Sequence, residues 1–273
     1  MTENNKILQI KNLNVSYQQP KNFSFFKKEY TQVLKNINID IYEKSSTGIA
    51  GESGAGKSTF MRAILNLLKY SPSFVKTEGD IIWHIGSETF SMNSINKKDI
   101  LRFRQLVQPV FQDPTASLNP KFTIGNIIEE PMKFLLKIDK KERKERVLNL
   151  LSDVGLDSNQ ISRYPNEFSV GQRQRINIAR ALASGPKVLV ADEPVSSLDV
   201  SIQSQILNLL INLKSKYNLT IIFITHDLQV LNALCDYAAV FYKGNLVEYG
   251  STENVFTNPQ NEYTTRLLEI NKN

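Results

Sequence analysis

The sequence Gly51-Glu52-Ser53-Gly54-Ala55-Gly56-Lys57-Ser58 matches the pattern G-x-x-x-x-G-K-[ST] at every fixed position. It follows an apolar strand end at Ile49-Ala50 and precedes a segment with helical spacing of apolar residues: Phe60, Ile64, Leu67 and Leu68. Glycines let backbone N–H groups turn inward around a phosphate, and the start of the following helix adds positive potential. We expect Lys57 to reach the β- and γ-phosphates and Ser58 to ligate Mg²⁺. The stretch therefore predicts a nucleotide-binding protein with a strand, loop and helix at its core.

Two carboxylates, Asp192 and Glu193, come directly after the apolar run Val188–Ala191. The carboxyl ends of strands in open α/β sheets are where ligands bind. We expect Asp192 to hold Mg²⁺, directly or through water, and Glu193 to polarise the attacking water as a general base. His226 follows the next apolar strand and is a candidate hydrogen-bond partner of the γ-phosphate or of that water.

A guanine-nucleotide class has one literal match, Asn96-Lys97-Lys98-Asp99, which fits N-K-x-D. The match precedes the strand of Asp192 and follows polar residues, and the sequence contains no D-x-x-G. We interpret it as coincidence. His84, beside Trp83 in a candidate strand, is interpreted as structural.

The N-terminal part alternates with period two, which predicts half-buried antiparallel strands: Leu13, Val15 and Tyr17, then Ile37, Ile39 and Ile41. Between them, an insertion over 18–30 carries several aromatic and basic residues: Phe23, Phe25, Phe26, Lys27 and Lys28. Contact with a membrane surface or a partner is the alternative, but we interpret this insertion as an ordinary hairpin extension with one or two packed aromatics.

Further along the chain, residues 79–111 predict short strands, and about 123–154 predicts helices. There, Asp139 and Glu142 form a candidate capping box before an apolar stripe made of Val147, Leu150, Leu151 and Val154. Helical segments at about 171–184 and 202–216 then alternate with continuously apolar strands, which is typical of a parallel sheet covered on both faces. A turn at Lys243-Gly244-Asn245 predicts a late hairpin.

Composition excludes several classes of protein. The 273 residues are 41% hydrophobic and 22% charged, with 12 Gly and 10 Pro, which excludes collagen-like and disordered chains. A single cysteine, Cys235, cannot close an intramolecular disulfide and is expected to be a small core residue in a reducing compartment. No apolar run is long enough to span a bilayer, and the N-terminus lacks a secretion signal. The net charge of +6 suits a phosphate-bearing partner, but many soluble proteins have a similar charge, so it does not by itself identify a ligand.

A further run, Phe168-Ser169-Val170-Gly171-Gln172, closely resembles the L-S-G-G-Q signature of ATP-binding cassette (ABC) ATPases, and it lies upstream of Asp192 as in that family. Gln112 resembles the Q-loop glutamine, Asp199 lies in a run similar to the D-loop, and His226 resembles the switch histidine. The resemblance assigns ATP binding to Tyr17, which would stack on adenine, and to the glycine-rich stretch: Gly51, Glu52, Ser53, Gly54, Ala55, Gly56, Lys57, Ser58 and Thr59.

The resemblance covers about residues 6–268 and implies an α/β P-loop NTPase fold with a parallel-sheet core, an N-terminal antiparallel β-subdomain and an inserted α-helical subdomain. A single nucleotide-binding domain is expected, with the core and β-subdomain at about 6–111 and 184–250. The helical subdomain is expected at about 112–183 and a C-terminal tail at 251–273. The implied ligands are ATP and Mg²⁺, with Ser58, Gln112 and Asp192 holding the metal and with Glu193, His226 and Gln112 acting in catalysis.

In this family the signature loop completes the ATP site of a partner cassette, so Ser169, Val170, Gly171 and Gln172 are expected to act on the partner's nucleotide. Val170 replaces a glycine, and a β-branched residue there is expected to narrow the backbone's freedom and weaken that one site.

Several runs resemble the oligopeptide, dipeptide and nickel subfamily of ABC importers: Val110 to Pro114, Ser117 to Pro120, Thr123 to Gly125, Arg163 to Ser169, Ala191 to Ser196, and Asn258-Pro259 with Tyr263-Thr264. This resemblance implies a peripheral ATPase on the cytoplasmic face of the cell membrane. The implied partners are a second, paralogous ATPase subunit, two transmembrane permeases and, through the complex, an extracellular solute-binding protein. Without the cysteine-bearing extension of some relatives, no iron–sulfur cluster is expected.

Segment 113–135, with Pro114, Pro120 and Pro131, is expected to be loop-rich and to contact the permeases. The leading hypothesis is an ATPase that drives import of oligopeptides or dipeptides. Alternatives are import of nickel or metal chelates, a soluble ABC ATPase acting on nucleic acid, and a cassette without turnover. Nucleic acid is not an expected partner, because long coiled-coil insertions and a second cassette are both missing from the sequence.

Overall fold

The structure, a computed structural model, describes residues 5–19, 29–196 and 198–270, and the aromatic insertion at 20–28 and Ser197 of the D-loop run lie outside them. The strands are β1 (Lys6–Gln18), β2 (Tyr30–Tyr42), β3 (Ser46–Ala50), β4 (Val75–Ile85), β5 (Glu88–Ser91), β6 (Val107–Val110), β7 (Val188–Asp192), β8 (Thr220–Ile224), β9 (Tyr237–Tyr242) and β10 (Asn245–Ser251). The helices are α1 (Lys57–Ile64), α2 (Lys97–Leu106), α3 (Pro114–Ser117), α4 (Ile124–Leu135), α5 (Lys140–Asp153), α6 (Val170–Leu182), α7 (Val200–Tyr217), α8 (Leu228–Leu234), α9 (Thr252–Thr257) and α10 (Glu262–Ile270).

The chain forms two compact units, the first from residues 1–95 with 223–273 and the second from residues 96–222. The narrower helical subdomain at about 112–183 stays a prediction. In the described part of the chain, no helix combines the length and the apolar character needed to cross a membrane.

The first unit contains the predicted antiparallel subdomain, a four-stranded sheet in the order β2-β1-β4-β5. Apolar and polar residues alternate along β1 and β2 because one face of the sheet is buried. Leu13 pairs with Ile37 and Ile10 pairs with Ile39, and all four side chains are buried. Trp83 of β4 is fully buried and donates from Nε1 to the carbonyl oxygen of Ile64 at 3.0 Å. The sheet is thereby tied to the end of α1.

The same unit carries β3, which pairs in parallel with β9, and β9 turns back into antiparallel β10 as the late hairpin predicted. The turn uses two left-handed residues, Lys243 (φ 45°) and Gly244 (φ 84°), as a two-residue type I′ turn requires. Phe60 of α1 packs edge-on against Phe241 of β9, with ring centroids 5.2 Å apart. Cys235 is buried at the end of α8, as expected.

The second unit contains the parallel pair β6 and β7 and a group of helices in which α6 contacts α3, α4, α5 and α7. The predicted apolar stripe of α5 is buried: Val147, Leu150 and Leu151, followed by Val154. Asp139 caps α5 by accepting from the N–H of Glu142 at 2.8 Å. The carboxylate of Glu142 pairs instead with Arg146, so the observed cap is the one-sided Asp139 contact.

Three predicted segments differ from the structure. Residues 79–111 include a ten-residue helix, α2, and its start explains the N-K-x-D match: the side chain of Asn96 caps the helix by accepting from the N–H groups of Lys98 and Asp99, both at 2.9 Å. The helix after the glycine-rich stretch ends at Ile64, so Leu67 and Leu68 lie beyond it, because Asn66 adopts a left-handed backbone. Segment 113–135 was expected to be rich in loops but is mostly helical. Pro114 occupies the first position of α3, where proline is tolerated, and Pro131 lies inside α4.

Candidate nucleotide site

The glycine-rich stretch forms a tight loop between β3 and α1 in the first unit. Gly51, Gly54 and Gly56 have φ of 147°, 80° and 105°, values that side-chain-bearing residues rarely adopt. A Cβ at Gly51 would lie 2.3 Å from the carbonyl oxygen of Phe241, and one at Gly56 would lie 2.7 Å from a methyl group of Leu34. The glycines are therefore required by backbone conformation and by close packing, as the motif predicted.

Lys57 occupies the first position of α1 and is buried, with 7% of its surface exposed. Its Nζ donates to the carbonyl oxygens of Gly51 at 2.6 Å and Glu52 at 3.0 Å. These contacts hold a positive charge beside the loop, where a phosphate would need it. Ser58, next along, is exposed and Thr59 is half-buried.

The loop is held from outside by the β9–β10 hairpin, a contact that motif analysis did not find. The N–H of Gly244 donates to the carbonyl oxygen of Ala55 at 3.1 Å, and the carbonyl of Gly244 accepts from the N–H of Lys35 at 2.8 Å. The sequence signal was the Lys243-Gly244-Asn245 turn, which predicts a hairpin but not its partner.

Two other predicted residues lie in the first unit. Tyr17 lies in β1, half-buried, opposite Thr31 of β2 and Val75 of β4. His226 is exposed and directly follows Thr225, whose N–H donates to the carbonyl oxygen of Ile49 at 3.1 Å. Ile49 is two residues before Gly51, so the backbone contact places the His226 turn next to the entry of the loop.

The second unit brings together Gln112 and Glu193. Because β6 and β7 are parallel and Val110 pairs with Ala191, the residues that follow each strand meet at one edge. Nε2 of Gln112 donates to Oε2 of Glu193 at 3.0 Å and to Oγ of Ser196 at 3.2 Å. Ser196 donates from Oγ to the carbonyl oxygen of Glu193 at 3.1 Å. The sequence motifs did not predict this contact.

Glu193 adopts a left-handed backbone with φ of 43°, which is costly for a residue other than glycine. Asp192, the last residue of β7, and Glu193 are both half-buried. Strained conformations cluster where function constrains a side chain. Asn218 shares this backbone in the same unit, but asparagine adopts it readily at a helix end, so Glu193 is the unusual position.

The signature run forms the start of α6. Ser169 and Gln172 make a capping box, in which Oγ of Ser169 accepts from the N–H of Gln172 at 3.3 Å and Oε1 of Gln172 accepts from the N–H of Ser169 at 3.0 Å. Val170 has helical conformation and is 42% exposed, and the expectation that it weakens the partner's site stays a prediction. Gly171 is needed for packing, because a Cβ there would lie 2.6 Å from Cγ2 of Ile202.

Asp199 caps α7 in the same unit. Its carboxylate accepts from the N–H of Ile202 at 3.1 Å and from Oγ of Ser201 at 2.8 Å. These hydrogen bonds, the backbone one first, hold the pKa of Asp199 below its ordinary value. The side chain is therefore fixed as an anion at the helix start.

The glycine loop between β3 and α1 and the buried lysine that follows it define a P-loop nucleotide-binding cassette. Residues 34–196 match the sequence profile described as ABC transporter, and the chain belongs to that family. The fold prediction and the recognition of the family are thereby confirmed.

Curated relatives and solved structures agree with this assignment. The chain is 42% identical over 270 residues to the "Dipeptide transport ATP-binding protein DppF" of Lactococcus lactis, covering 98% of this chain and 82% of that one. It is 42% identical over 272 residues to the "Oligopeptide transport ATP-binding protein OppF" of Escherichia coli, covering 98% and 78%. It resembles the solved ATP-binding cassette MJ0796 "bound to ADP and Pi", with TM-score 0.74, 28% identity, and coverage of 90% of this chain and 98% of that chain.

Proposed function

We propose that this chain is the ATP-hydrolysing subunit of an ABC importer that energises uptake of oligopeptides or dipeptides through partner permeases. The observation that carries the catalytic part is the strained Glu193, whose carboxylate is held 3.0 Å from Nε2 of Gln112. The names of the relatives from Lactococcus lactis and Escherichia coli support peptides as the cargo.

Each residue has a proposed role that fits its surroundings. Glu193 is the general base toward the attacking water, and Gln112 orients its carboxylate. Lys57 binds the β- and γ-phosphates from the glycine loop, since its ammonium is already fixed there by two carbonyl oxygens. His226 contacts the γ-phosphate, and Tyr17 stacks on the adenine.

The donor set fits a magnesium ion by its chemistry, since hydroxyl, amide and carboxylate oxygens are the ligands of hard cations. We infer that Ser58, Gln112 and Asp192 hold Mg²⁺. When bound, the ion neutralises charge on the phosphate oxygens. Ser169 to Gln172 are proposed to complete the nucleotide site of a second, paralogous ATPase subunit.

The proposed permease contact lies in segment 113–135. Two aromatic side chains there are exposed, Phe122 at 43% and Phe134 at 78%. Their exposure leaves both side chains available to a partner. On the resemblance to peptide importers, we propose attachment to the cytoplasmic face of the membrane through two permeases, with an extracellular solute-binding protein delivering the cargo.

The test of catalysis uses two substitutions in the assembled complex. Glu193→Gln is expected to bind ATP normally and to lose about 100-fold or more in hydrolysis, the share a positioned base supplies. Lys57→Ala is expected to lose nucleotide binding. The matched controls are Glu145→Gln, at an exposed position of α5, and Lys11→Ala, at an exposed position of β1. Both variants should behave as wild type. Wild-type hydrolysis by Glu193→Gln would remove the base assignment.

The cargo is tested by uptake in cells that carry the complex, with labelled peptide and labelled nickel offered separately. Peptide uptake that Lys57→Ala abolishes supports the proposal, whereas nickel uptake alone selects the chelate alternative. Purification of the chain with nucleic acid and without integral membrane proteins would overturn the transport role.

A further inference from the structure

The late motif Asn258-Pro259 with Tyr263-Thr264 has no role in the proposed hydrolysis. In the structure, Tyr263 and Thr264 lie in the first turn of α10 and are buried, with 8% and 1% of their surfaces exposed. Such burial of a tyrosine and a threonine at the start of a C-terminal helix calls for a partner on the rest of the first unit.

The start of α10 is anchored to the β9–β10 hairpin. The carboxylate of Glu248, in β10, accepts from the N–H groups of Gln260 at 2.8 Å and Asn261 at 3.2 Å. Oδ1 of Asn261 in turn accepts from the N–H of Tyr263 at 2.9 Å. This chain of hydrogen bonds fixes where the Tyr263 ring lies.

The ring of Tyr263 stacks on Tyr242, the last residue of β9, with centroids 4.0 Å apart and planes inclined by 26°. Tyr242 stands between the two points where the hairpin meets the glycine loop. The residue before it, Phe241, has its carbonyl oxygen at the position that a Cβ of Gly51 would overlap. Two residues after it, the N–H of Gly244 donates to Ala55.

The phenol of Tyr263 is buried, and this burial raises its pKa. The hydroxyl is buried and lacks hydrogen-bond geometry to any of the described residues. The ring, rather than the hydroxyl, therefore provides the contact.

We propose that Tyr263 is a positioning residue for nucleotide binding: by stacking on Tyr242 it braces the hairpin that holds the outer side of the loop Gly51–Gly56. A braced loop keeps the carbonyl oxygens of Gly51 and Glu52 on Lys57, so the site is formed before nucleotide arrives. This inference rests on the proposed function of the loop and adds the C-terminal helix to the parts that set nucleotide affinity.

The test measures binding of a fluorescent ATP analogue with Mg²⁺ to the full chain, together with KM and kcat of the assembled complex. Tyr263→Leu is expected to raise Kd and KM about tenfold, as for a site that loses preorganisation, with kcat within about twofold of wild type. Tyr263→Phe keeps the stack and should restore the wild-type Kd. If Tyr263 only stabilised the fold, Tyr263→Leu would lower the free energy of unfolding without raising KM at nearly constant kcat.

Val255→Ala is the matched control, because it removes buried apolar volume from α9 in the same C-terminal region without touching the stack. It should lower the unfolding temperature and leave Kd unchanged. If Tyr263→Leu does not fold, Tyr242→Leu removes the same stack from the other side and should raise Kd equally.

An unchanged Kd in Tyr263→Leu or Tyr242→Leu, measured while Lys57→Ala loses binding, would overturn the brace and leave the proposed function standing. If Lys57→Ala binds the analogue as wild type does, the proposed function of the loop itself fails.

Discussion

Gly244 lies outside the nucleotide motif and contacts the loop through a backbone hydrogen bond. Its N–H holds the carbonyl oxygen of Ala55, and its φ is 84°. A Cβ at this position would lie 2.2 Å from the carbonyl oxygen of Val33, a backbone atom that has little room to move. We therefore expect Gly244→Ala to destabilise the hairpin and to displace the loop.

The magnitude follows from three effects. A left-handed backbone costs an alanine about 1–2 kcal/mol, and forcing a methyl group into a packed contact costs about 1–3 kcal/mol. Alanine recovers about 0.4–1 kcal/mol because its unfolded chain is less flexible than that of glycine. The free energy of unfolding should therefore fall by about 1–5 kcal/mol.

Gly86→Ala is the control that separates the two costs. Gly86 also has a left-handed backbone, with φ of 61°, but no described atom lies within 4 Å of a Cβ placed there. Its substitution should lower the free energy of unfolding by about 0–1.6 kcal/mol, because the steric part is missing. The difference between the two variants isolates the approach of Gly244 to Val33.

The assay is urea unfolding followed by circular dichroism, with binding of a fluorescent ATP analogue measured on the same samples. Gly244→Ala should unfold at a lower urea concentration than Gly86→Ala and bind the analogue more weakly. Equal unfolding midpoints together with wild-type binding by Gly244→Ala would refute the argument that the hairpin tip supports the loop.

Three further predictions concern the second unit. Ser169→Ala removes the cap of α6 and should lower the free energy of unfolding by about 1 kcal/mol, whereas Ser169→Thr keeps it, as urea unfolding can measure. Val170→Gly should lower the free energy of unfolding by about 0.5–1 kcal/mol, since Val170 is helical, and should raise the ATPase rate of the assembled complex; an unchanged rate would contradict the expectation that Val170 weakens the site. Burial opposes ionisation of Glu129, but hydrogen bonds from Arg143 and Lys133 hold its pKa below the ordinary 4.5. Its stabilising contribution should therefore be present above about pH 4.5 and be lost as the pH falls through the lower folded pKa, and Glu129→Gln should remove that pH dependence from acid unfolding curves.

The sequence alone determined the features that depend on local spacing. The glycine loop, the acids after an apolar strand and the alternation of β1 and β2 could be predicted because backbone conformation and side-chain period follow directly from residue type. The family could be recognised because its motifs occur in a fixed order. Predictions failed where a local signal competed with another: residues 79–111 were expected to form short strands but include α2, and Pro131 was taken as a loop residue although α4 continues through it.

Tertiary structure decided which distant residues meet. The contact of Gln112 with Glu193 spans 81 positions and exists because two parallel strands end at the same edge. The stack of Tyr263 on Tyr242 depends on how α10 returns to the hairpin, which residue types alone do not encode. Local conformation is set by the sterics of each residue and its neighbours, whereas these long-range contacts are set by the packing of whole elements, so only the folded chain shows them.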